Sequence, residues 1–294
     1  MARLADRVPE NVPGAFFVDS TCISCDTCRR VAPATFGGGE DDRAFVAAQP
    51  RDPGEERRAL MALVACPVAA IGTAEKHRGA AAAARAFPDP VPGADGVYQC
   101  GYAAESSFGA ASWLVVRPGG NVLVDSPRFA GPLLAGLRAL GGARFMFLTH
   151  RDDVADHARW ADALGCERIL HVRDVTGRTG ELERRVEGEA PIALAGDLLV
   201  IPVPGHTPGS AALLHRERFL FSGDHLWGDA EGRLGASRSV CWWDWGEQTR
   251  SMERLLAHRF EWVLPGHGRP WRAPSAEAAR EALAELHASM RRRA

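Results

Sequence analysis

The last two thirds of this 294-residue chain carry four short segments that are rich in histidine and aspartate. Three of the segments contain a glycine turn, and all four place imidazoles or carboxylates where they could bind a metal. The segments are THRDDVADH ending at His157, PGHT around His206, SGDH around Asp224 and PGHG around His267. A hydrolytic site with two metals needs such ligands from several separate loops. The sequence therefore predicts a metalloenzyme whose fold brings distant loops together.

A second metal-binding pattern lies near the start of the chain. Cys22, Cys25 and Cys28 form a C-x2-C-x2-C run, and Cys66 stands directly before Pro67. Thiolates hold iron well, and a protein with two clusters would repeat the run. We therefore predict one [4Fe-4S] cluster on these four cysteines. A zinc ion on the same thiolates is the alternative, although zinc sites usually pair two C-x2-C knuckles.

Composition narrows the classes of partner. A formal net charge of -2 gives no electrostatic footprint for nucleic acid. The chain has no run of about 20 apolar residues and no recognisable signal peptide, so we expect a cytoplasmic protein without a membrane partner. Seven cysteines, an odd number, argue against a secreted disulfide framework. We expect Cys100, Cys166 and Cys241 to be small buried hydrophobic residues.

Periodicity divides the chain into two predicted domains and a linker. Residues 1–72 combine turn signals with one helical stretch, and residues 73–96 are rich in Ala, Pro and Gly without a sustained apolar period. From residue 97 to residue 294, short β-rich runs alternate with helical patterns. The candidate ligands follow the ends of these strands, which predicts an α/β layer architecture with its ligands at one edge.

Residues 15–72 resemble single-cluster bacterial ferredoxins. The resemblance rests on CISCDTC followed by APATF, and on the closing CPVAAI. It implies a small α+β domain in which Cys22, Cys25, Cys28 and Cys66 hold one [4Fe-4S] cluster. It also implies a redox partner, either a reductase or a ferredoxin, at the N-terminal domain.

Residues 97–272 resemble the metallo-β-lactamase fold superfamily in the order of their segments, which includes VLVDSP before the first histidine. The resemblance implies a four-layer αβ/βα sandwich with two metal ions at one edge of its sheets. PGHTPGS and FSGD are most similar to glyoxalase-II-like hydrolases. Position by position, the family's metal ligands correspond to His150, Asp156, His157, His206, Asp224 as the bridging carboxylate, and His267.

One position departs from the family pattern. The second histidine of the family's HxHxDH motif is replaced by Asp152, and two extra residues precede Asp156. Asp153 is an alternative donor, and Asp152 is preferred for its i+2 spacing from His150. The flavodiiron branch of the superfamily places Glu in this slot. An anionic oxygen ligand shifts the preference from zinc toward iron or manganese.

These patterns lead to two hypotheses of function. The first is a binuclear metal-dependent hydrolase that acts on a small ester, thioester, lactone or phosphodiester, with Asp156 orienting the nucleophile. The second is a di-iron redox enzyme that receives electrons through the cluster, whereas a metal-free scaffold protein is a weaker third. No flavin or nicotinamide motif is apparent. The predicted substrate pocket is lined by His225, Trp242, Trp243 and Trp245.

Overall fold

The computed structural model describes residues 1–292, which fall into two compact units. Unit 1 consists of Met1–Arg144 and Ala155–Cys166, and unit 2 consists of Phe145–Val154 and the chain from Glu167 onward. The boundaries 1–72, 73–96 and 97–294 stay a prediction. None of the helices formed by the described residues has both the length and the hydrophobicity that a bilayer crossing demands.

The N-terminal half of unit 1 is built from two small antiparallel strand pairs and two helices. Strand β1 pairs with β4, and β2 pairs with β3. The elements are β1 (Phe16–Val18), α1 (Thr27–Val31), β2 (Phe36–Gly38), β3 (Ala44–Val46), α2 (Pro53–Ala65) and β4 (Ile71–Thr73), after a 3-10 turn at Leu4–Asp6. This arrangement agrees with the small α+β domain expected from the sequence.

Helix α2 begins and ends where its sequence dictates. The Asp52 carboxylate accepts hydrogen bonds from the backbone N–H groups of Gly54 and Glu55, and Pro53 occupies the first helical position. The buried face of α2 includes Leu60 and Met61. The helix stops at Ala65, so the side chain of the next residue, Cys66, lies at the helix end. The helix thus carries the fourth cysteine to a fixed place.

The remainder of unit 1 contains an antiparallel arrangement of four strands in the order β8-β7-β6-β5. Strands β7 and β8 are apolar and fully buried, as expected for strands covered on both faces. The elements are α3 (Ala80–Ala84), β5 (Asp89–Pro90), β6 (Val97–Gln99), β7 (Trp113–Val115), β8 (Val122–Val124), α4 (Gly131–Ala139) and α5 (His157–Leu164), with a 3-10 turn at Glu105–Ser107.

Unit 2 contains three parallel strands, β9-β10-β11, and a mixed six-stranded sheet in the order β12-β13-β14-β15-β18-β19. The strands are β9 (Phe145–Phe147), β10 (Glu167–His171), β11 (Arg184–Val186), β12 (Ile192–Ala195), β13 (Leu198–Pro202), β14 (Ala211–His215), β15 (Phe219–Gly223), β16 (Trp227–Gly228), β17 (Leu234–Gly235), β18 (Trp262–Pro265) and β19 (Trp271–Arg272). The helices are α6 (Trp245–Leu256) and α7 (Ala276–Arg291), with 3-10 turns at Val172–Asp174 and Arg238–Val240.

The six-stranded sheet delivers two candidate ligands to one edge. Strands β15 and β18 are parallel neighbours, so their carboxyl ends lie together. Asp224 follows β15 directly, and His267 comes two residues after β18. On one side, side chains such as Leu220, Val263, Met252 and Leu283 form a continuous apolar core with α6 and α7. The strands are held by this core, and their polar continuations are left at the edge.

Candidate cluster and metal sites

Four cysteine thiols line one small cavity in unit 1. Cys22 and Cys25 lie in the loop before α1, Cys28 lies on α1, and Cys66 follows α2. Burial raises the pKa of the Cys28 thiol, and the neighbouring Cys25, Cys22 and Cys66 raise it further. Thiolates so close together repel one another unless a cation lies among them. The donor set therefore fits an iron-sulfur cluster, which supplies that positive charge.

Local backbone geometry shapes the thiol cavity. Ser24 and Asp26 adopt left-handed conformations, with φ of 59° and 61°, so the chain turns sharply between successive cysteines. The backbone N–H of Ala70 lies 3.3 Å from the Cys66 sulfur and donates to it. Hydrogen bonds of this kind stabilise a sulfur that carries negative charge.

A second loop of unit 1 lies against the thiol cavity. Gly109 has a φ of +82°, and a Cβ at this position would lie 2.7 Å from the Cys25 sulfur. Its carbonyl accepts hydrogen bonds from the Thr27 hydroxyl at 3.0 Å and from the Arg30 guanidinium at 2.9 Å. Only a residue without a side chain fits here, so the loop packs directly on the cysteine.

A cluster of imidazoles and carboxylates occupies unit 2. Two overlapping groups of three residues have ligand atoms within 4.8 Å of one another: His150, Asp152 and His206, and His150, Asp153 and Asp224. An Asp224 oxygen lies 3.7 Å from the Nε2 atoms of both His150 and His206. Ligands about 2.1 Å from a shared ion lie roughly 3 to 4 Å apart. The spacing is therefore that of metal ligands.

The protonation states of this cluster favour metal binding. The Nε2 atom of His150 and both ring nitrogens of His206 are buried and have no hydrogen-bond partner among the described residues. Burial lowers the pKa of His150 to about 4, so its ring is neutral at physiological pH. A buried imidazole nitrogen without a partner is costly, and a metal ion would satisfy it. The residues therefore fit the metals that the sequence predicts.

The Asp224 carboxylate lies among three imidazoles. Burial alone would raise its pKa, but His267, His150 and His206 together hold that pKa well below its usual range. His267 contacts Asp224 twice, through its backbone N–H at 3.1 Å and through its ring Nδ1 at 2.9 Å. An ionised carboxylate placed among three imidazoles suits the bridging role that the resemblance assigns to Asp224.

Asp152 and Asp153 lie where the sequence differs from the family's HxHxDH motif, and both carboxylates come close to His150. An Asp152 oxygen lies 3.5 Å from His206 Nε2 and 3.9 Å from His150 Nε2, and the neighbouring His206 ring, followed by that of His150, lowers the pKa of the Asp152 carboxyl. An Asp153 oxygen lies 3.9 Å from His150 Nε2. The Asp152 side chain is 46% exposed, whereas that of Asp153 is only 2% exposed. Sequence spacing favoured Asp152, but the structure places both carboxylates near His150.

The other two predicted metal ligands, Asp156 and His157, belong to unit 1. Asp156 is the residue before α5, and its carboxylate accepts a 2.7 Å hydrogen bond from the backbone N–H of Phe129. His157 is the first residue of α5 and is buried. The two residues that the family pattern keeps adjacent thus lie at the start of one helix.

Asp174 is a site residue that the sequence patterns missed. Its fully buried carboxylate accepts hydrogen bonds from the backbone N–H of Arg151 at 3.0 Å and of Gly209 at 2.7 Å, and from the hydroxyl of Thr207. It therefore fixes the loop of His150 and the loop of His206 at once. The sequence did contain one indication of this role. Asp174 is an acidic residue just beyond the predicted strand RILHV, and the candidate metal ligands also follow predicted strands.

The predicted pocket residues fall into two kinds. Trp242 is 65% exposed, and its ring centroid lies 6.2 Å from that of His206. Trp243 is also exposed, with the Arg173 guanidinium 5.0 Å from its ring centroid. Trp245, by contrast, packs against the apolar core of unit 2. His225 is buried with both ring nitrogens unpartnered among the described residues, and burial lowers its pKa to about 3.

Four thiols around one cavity and a carboxylate-imidazole cluster at a sheet edge are the donor sets of two candidate inorganic centres. Comparison with known proteins agrees for the first centre. Residues 18–73 match the family described as the 4Fe-4S single cluster domain of Ferredoxin I. The predicted single-cluster ferredoxin domain is thereby confirmed.

Solved structures identify the fold of the larger part. A metallo-β-lactamase from Hirschia baltica is 18% identical, with a TM-score of 0.52, and the match covers 68% of this chain and 96% of that one. The BLEG-1 B3 metallo-β-lactamase is also 18% identical, with a TM-score of 0.50 and coverage of 65% and 99%. These likenesses show the metallo-β-lactamase fold, which confirms the predicted fold class and the fusion of the two modules.

Two curated proteins share part of the sequence. A hydroxyacylglutathione hydrolase from Anaeromyxobacter dehalogenans is 38% identical over 120 residues, or 39% of this chain and 45% of that protein. The protein YobT of Bacillus subtilis, which is described as uncharacterized, is 34% identical over 98 residues, or 30% of this chain and 41% of that protein. The chain therefore spans less than half the length of the curated relatives it matches.

Proposed function

We propose that this chain is a metal-dependent hydrolase with a binuclear metal site and a fused [4Fe-4S] module. The observation that carries the proposal is the convergence of unpartnered, buried histidine nitrogens on ionised carboxylates. His150 and His206 each place Nε2 within 4 Å of Asp224, and Asp152 lies beside them. The proposed ligand set is His150, Asp152, Asp156, His157, His206, Asp224 and His267, with Asp153 as a further donor.

Bound divalent metals would supply a nucleophilic hydroxide near neutral pH and would polarise the carbonyl or phosphoryl oxygen under attack. The protein's own part is to hold the ligands in place and to orient the reactants. Asp174 fixes two ligand loops, and His267 holds the Asp224 carboxylate in position. Asp156 is proposed to orient the nucleophile. These groups are fixed before substrate arrives, which lowers the cost of organising the reaction.

The proposed substrate is a small ester, thioester, lactone or phosphodiester. The partial similarity to a hydroxyacylglutathione hydrolase supports the thioester among these classes. Trp242 stands beside the metal ligand His206 with most of its surface exposed, so it offers a flat apolar wall to a substrate bound there. Trp243 and His225 are proposed as further pocket residues, and Trp245 serves the pocket only through packing.

A second candidate function has its own observation. The carboxylates of Asp152 and Asp224 lie near both His150 and His206, and that of Asp153 lies near His150. Oxygen-rich ligand sets favour iron or manganese over zinc, and a ferredoxin domain is a natural electron donor to iron. A di-iron redox enzyme that is supplied through the cluster by an external reductase or ferredoxin is therefore the alternative proposal.

Metal analysis of anaerobically purified protein separates the two proposals. About two zinc ions per chain in addition to the cluster iron, together with thioester, lactone or phosphodiester turnover without an electron donor, support the hydrolase. About two irons beyond the cluster, with activity only when the cluster is reduced, supports the redox enzyme. Asp224→Ala should abolish either activity, whereas Glu231→Ala removes an exposed carboxylate of the same unit and should not. Protein that binds no metal beyond the cluster would contradict both.

A further inference from the structure

The end of helix α2, which carries the fourth cysteine, is bound by a distant segment of unit 1. The last carbonyls of a helix lack partners within the helix. Here the Val64 carbonyl accepts from the Arg128 guanidinium at 3.2 Å, and the Ala65 carbonyl accepts from the backbone N–H of Ala103 at 3.1 Å. The adjacent residue is Cys66. The position of this cysteine therefore depends on contacts far away in the sequence.

Arg128 is held in place from several sides. Its backbone N–H donates to the Tyr102 carbonyl at 2.8 Å, and its Nε donates to the Ala103 carbonyl at 3.5 Å. The guanidinium also lies 5.4 Å from the centroid of the Tyr102 ring. A planar cation fixed in this way can hold two carbonyls at once, and it lies at a helix C-terminus, where positive charge is favourable.

The segment that contains Arg128 also binds the start of α5. The backbone N–H of Phe129 donates to the Asp156 carboxylate at 2.7 Å, and the Trp160 indole donates to the Pro127 carbonyl at 2.8 Å. The rings of Phe129 and Trp160 pack with their centroids 4.5 Å apart. Residues 127–129 therefore contact both the helix end beside Cys66 and the helix start that bears two proposed metal ligands.

We propose that Arg128 is a positioning residue that couples the cluster site to Asp156 and His157. Through Val64 it fixes the α2 end beside Cys66, and through the next peptide group it fixes the Asp156 carboxylate. The role of Asp156 as a ligand rests on the function proposed above. The contacts of residues 127–129 with the end of α2 and the start of α5, which we call the bridge, do not rest on it. The bridge gives the ferredoxin domain a structural use in this protein, because a correctly ligated Cys66 and a correctly placed Asp156 depend on the same three residues.

The test compares Arg128→Ala and Arg128→Lys with the control Arg138→Ala in cluster-loaded full-length protein. Arg138 is a matched control because it also donates to a carbonyl in unit 1, that of Ala163 at 2.9 Å, and touches the opposite end of α5. Two readouts are needed, one for each end of the bridge. They are the reduction potential and electron paramagnetic resonance spectrum of the cluster, and the hydrogen exchange rate of the Phe129 amide.

Arg128→Ala should shift the cluster potential and spectrum and should make Phe129 exchange roughly tenfold faster or more, since hydrogen bonds to charged groups are the stronger kind. Arg128→Lys keeps the positive charge but loses the planar guanidinium that donates to two carbonyls, so it should give smaller changes of the same sign. Arg138→Ala should leave the cluster as in the wild type.

An unchanged cluster or an unchanged Phe129 exchange rate in Arg128→Ala would overturn the coupling, because the bridge must act at both ends. If Arg128→Ala does not fold, Arg128→Lys is judged by the same two readouts, and wild-type values for either would overturn it. Neither readout depends on turnover. A failure of the proposed hydrolase activity would therefore be distinguishable from a failure of this inference.

Discussion

Replacing Gly109 with alanine should damage the iron-sulfur cluster although Gly109 is not a ligand. The new Cβ would lie 2.5 Å from the Cys25 Cβ, 2.7 Å from its sulfur and 3.2 Å from the Thr27 hydroxyl oxygen. Non-bonded carbon atoms prefer separations of about 3.5 to 4.0 Å. Either the Gly109 loop or Cys25 must therefore move by about 1 Å, and Cys25 is a predicted ligand whose sulfur must stay in place.

Two terms contribute to the expected loss of folding stability in Gly109→Ala. A non-glycine residue in the left-handed region costs about 1 to 2 kcal/mol, which applies because φ at Gly109 is +82°. Overpacking of a filled site adds about 1 to 3 kcal/mol. Gly142→Ala is the matched control, because Gly142 lies in the same unit with a φ of +69° and nothing within 4 Å of its Cβ position. Gly142→Ala therefore has the backbone strain of a positive φ but not the overpacking.

The assay is iron and sulfide content per chain after anaerobic reconstitution, followed by the visible absorption of the cluster and by thermal unfolding. Gly109→Ala should hold less cluster and unfold at a lower temperature than Gly142→Ala. Gly142→Ala should keep full cluster content with only a modest loss of stability. If the two variants retained equal iron and sulfide, the loop would not be packed on Cys25, and the reasoning from this contact would be refuted.

Three further predictions concern both sites. Asp174→Ala should weaken metal binding roughly 10- to 100-fold, because two ligand loops lose their common anchor; a competition titration that shows wild-type affinity would contradict this. Trp242→Ala should raise KM for the substrate more than it lowers kcat, since the ring contacts substrate without joining the chemistry; an unchanged KM would remove Trp242 from the pocket. Cys66→Ala should lose the cluster absorption whereas Cys100→Ala, which removes a fully buried thiol outside the cavity, should keep it, and the reverse pattern would refute the ligand assignment.

The sequence predicted the features that short segments encode. The cysteine run and the CPVAAI segment specify a compact loop and a helix end, and the ferredoxin comparison confirms the domain. Histidines and aspartates placed directly after apolar strands predicted a ligand edge, and Asp224 and His267 do follow two neighbouring parallel strands. Local patterning sufficed here because a buried strand that ends at a sheet edge leaves its next residues exposed to a shared space.

Other features depend on residues that are distant in the chain and that show no local pattern. Asp174 is separated from Thr207 by 33 positions and Arg128 from Val64 by 64, and each is recognisable only when the fold brings the partners together. Gly109 is an ordinary loop glycine in sequence, and its requirement for a bare backbone comes from packing against Cys25. Sequence spacing favoured Asp152 over Asp153, and it could not show that the loop after Leu148 brings both carboxylates to 3.9 Å from His150 Nε2.

The net charge of the proposed metal site depends on the loop that carries Asp152 and Asp153, and this charge affects both proposed functions. In the proposed site, two divalent ions would contribute +4 and the carboxylates of Asp152, Asp153, Asp156 and Asp224 would contribute -4, which leaves no net charge on the assembled centre. An imidazole in the slot of Asp152 would leave +1. The lower positive charge weakens the polarisation of a bound carbonyl, and it favours a higher oxidation state if the metal is iron. Under the two proposed functions, the same carboxylate would make a zinc centre a milder hydrolase than a histidine-rich one, and it would lower the reduction potential of an iron centre, so that a low-potential donor such as a reduced iron-sulfur cluster is needed to reduce it. The identity of the bound metal therefore distinguishes the two proposals.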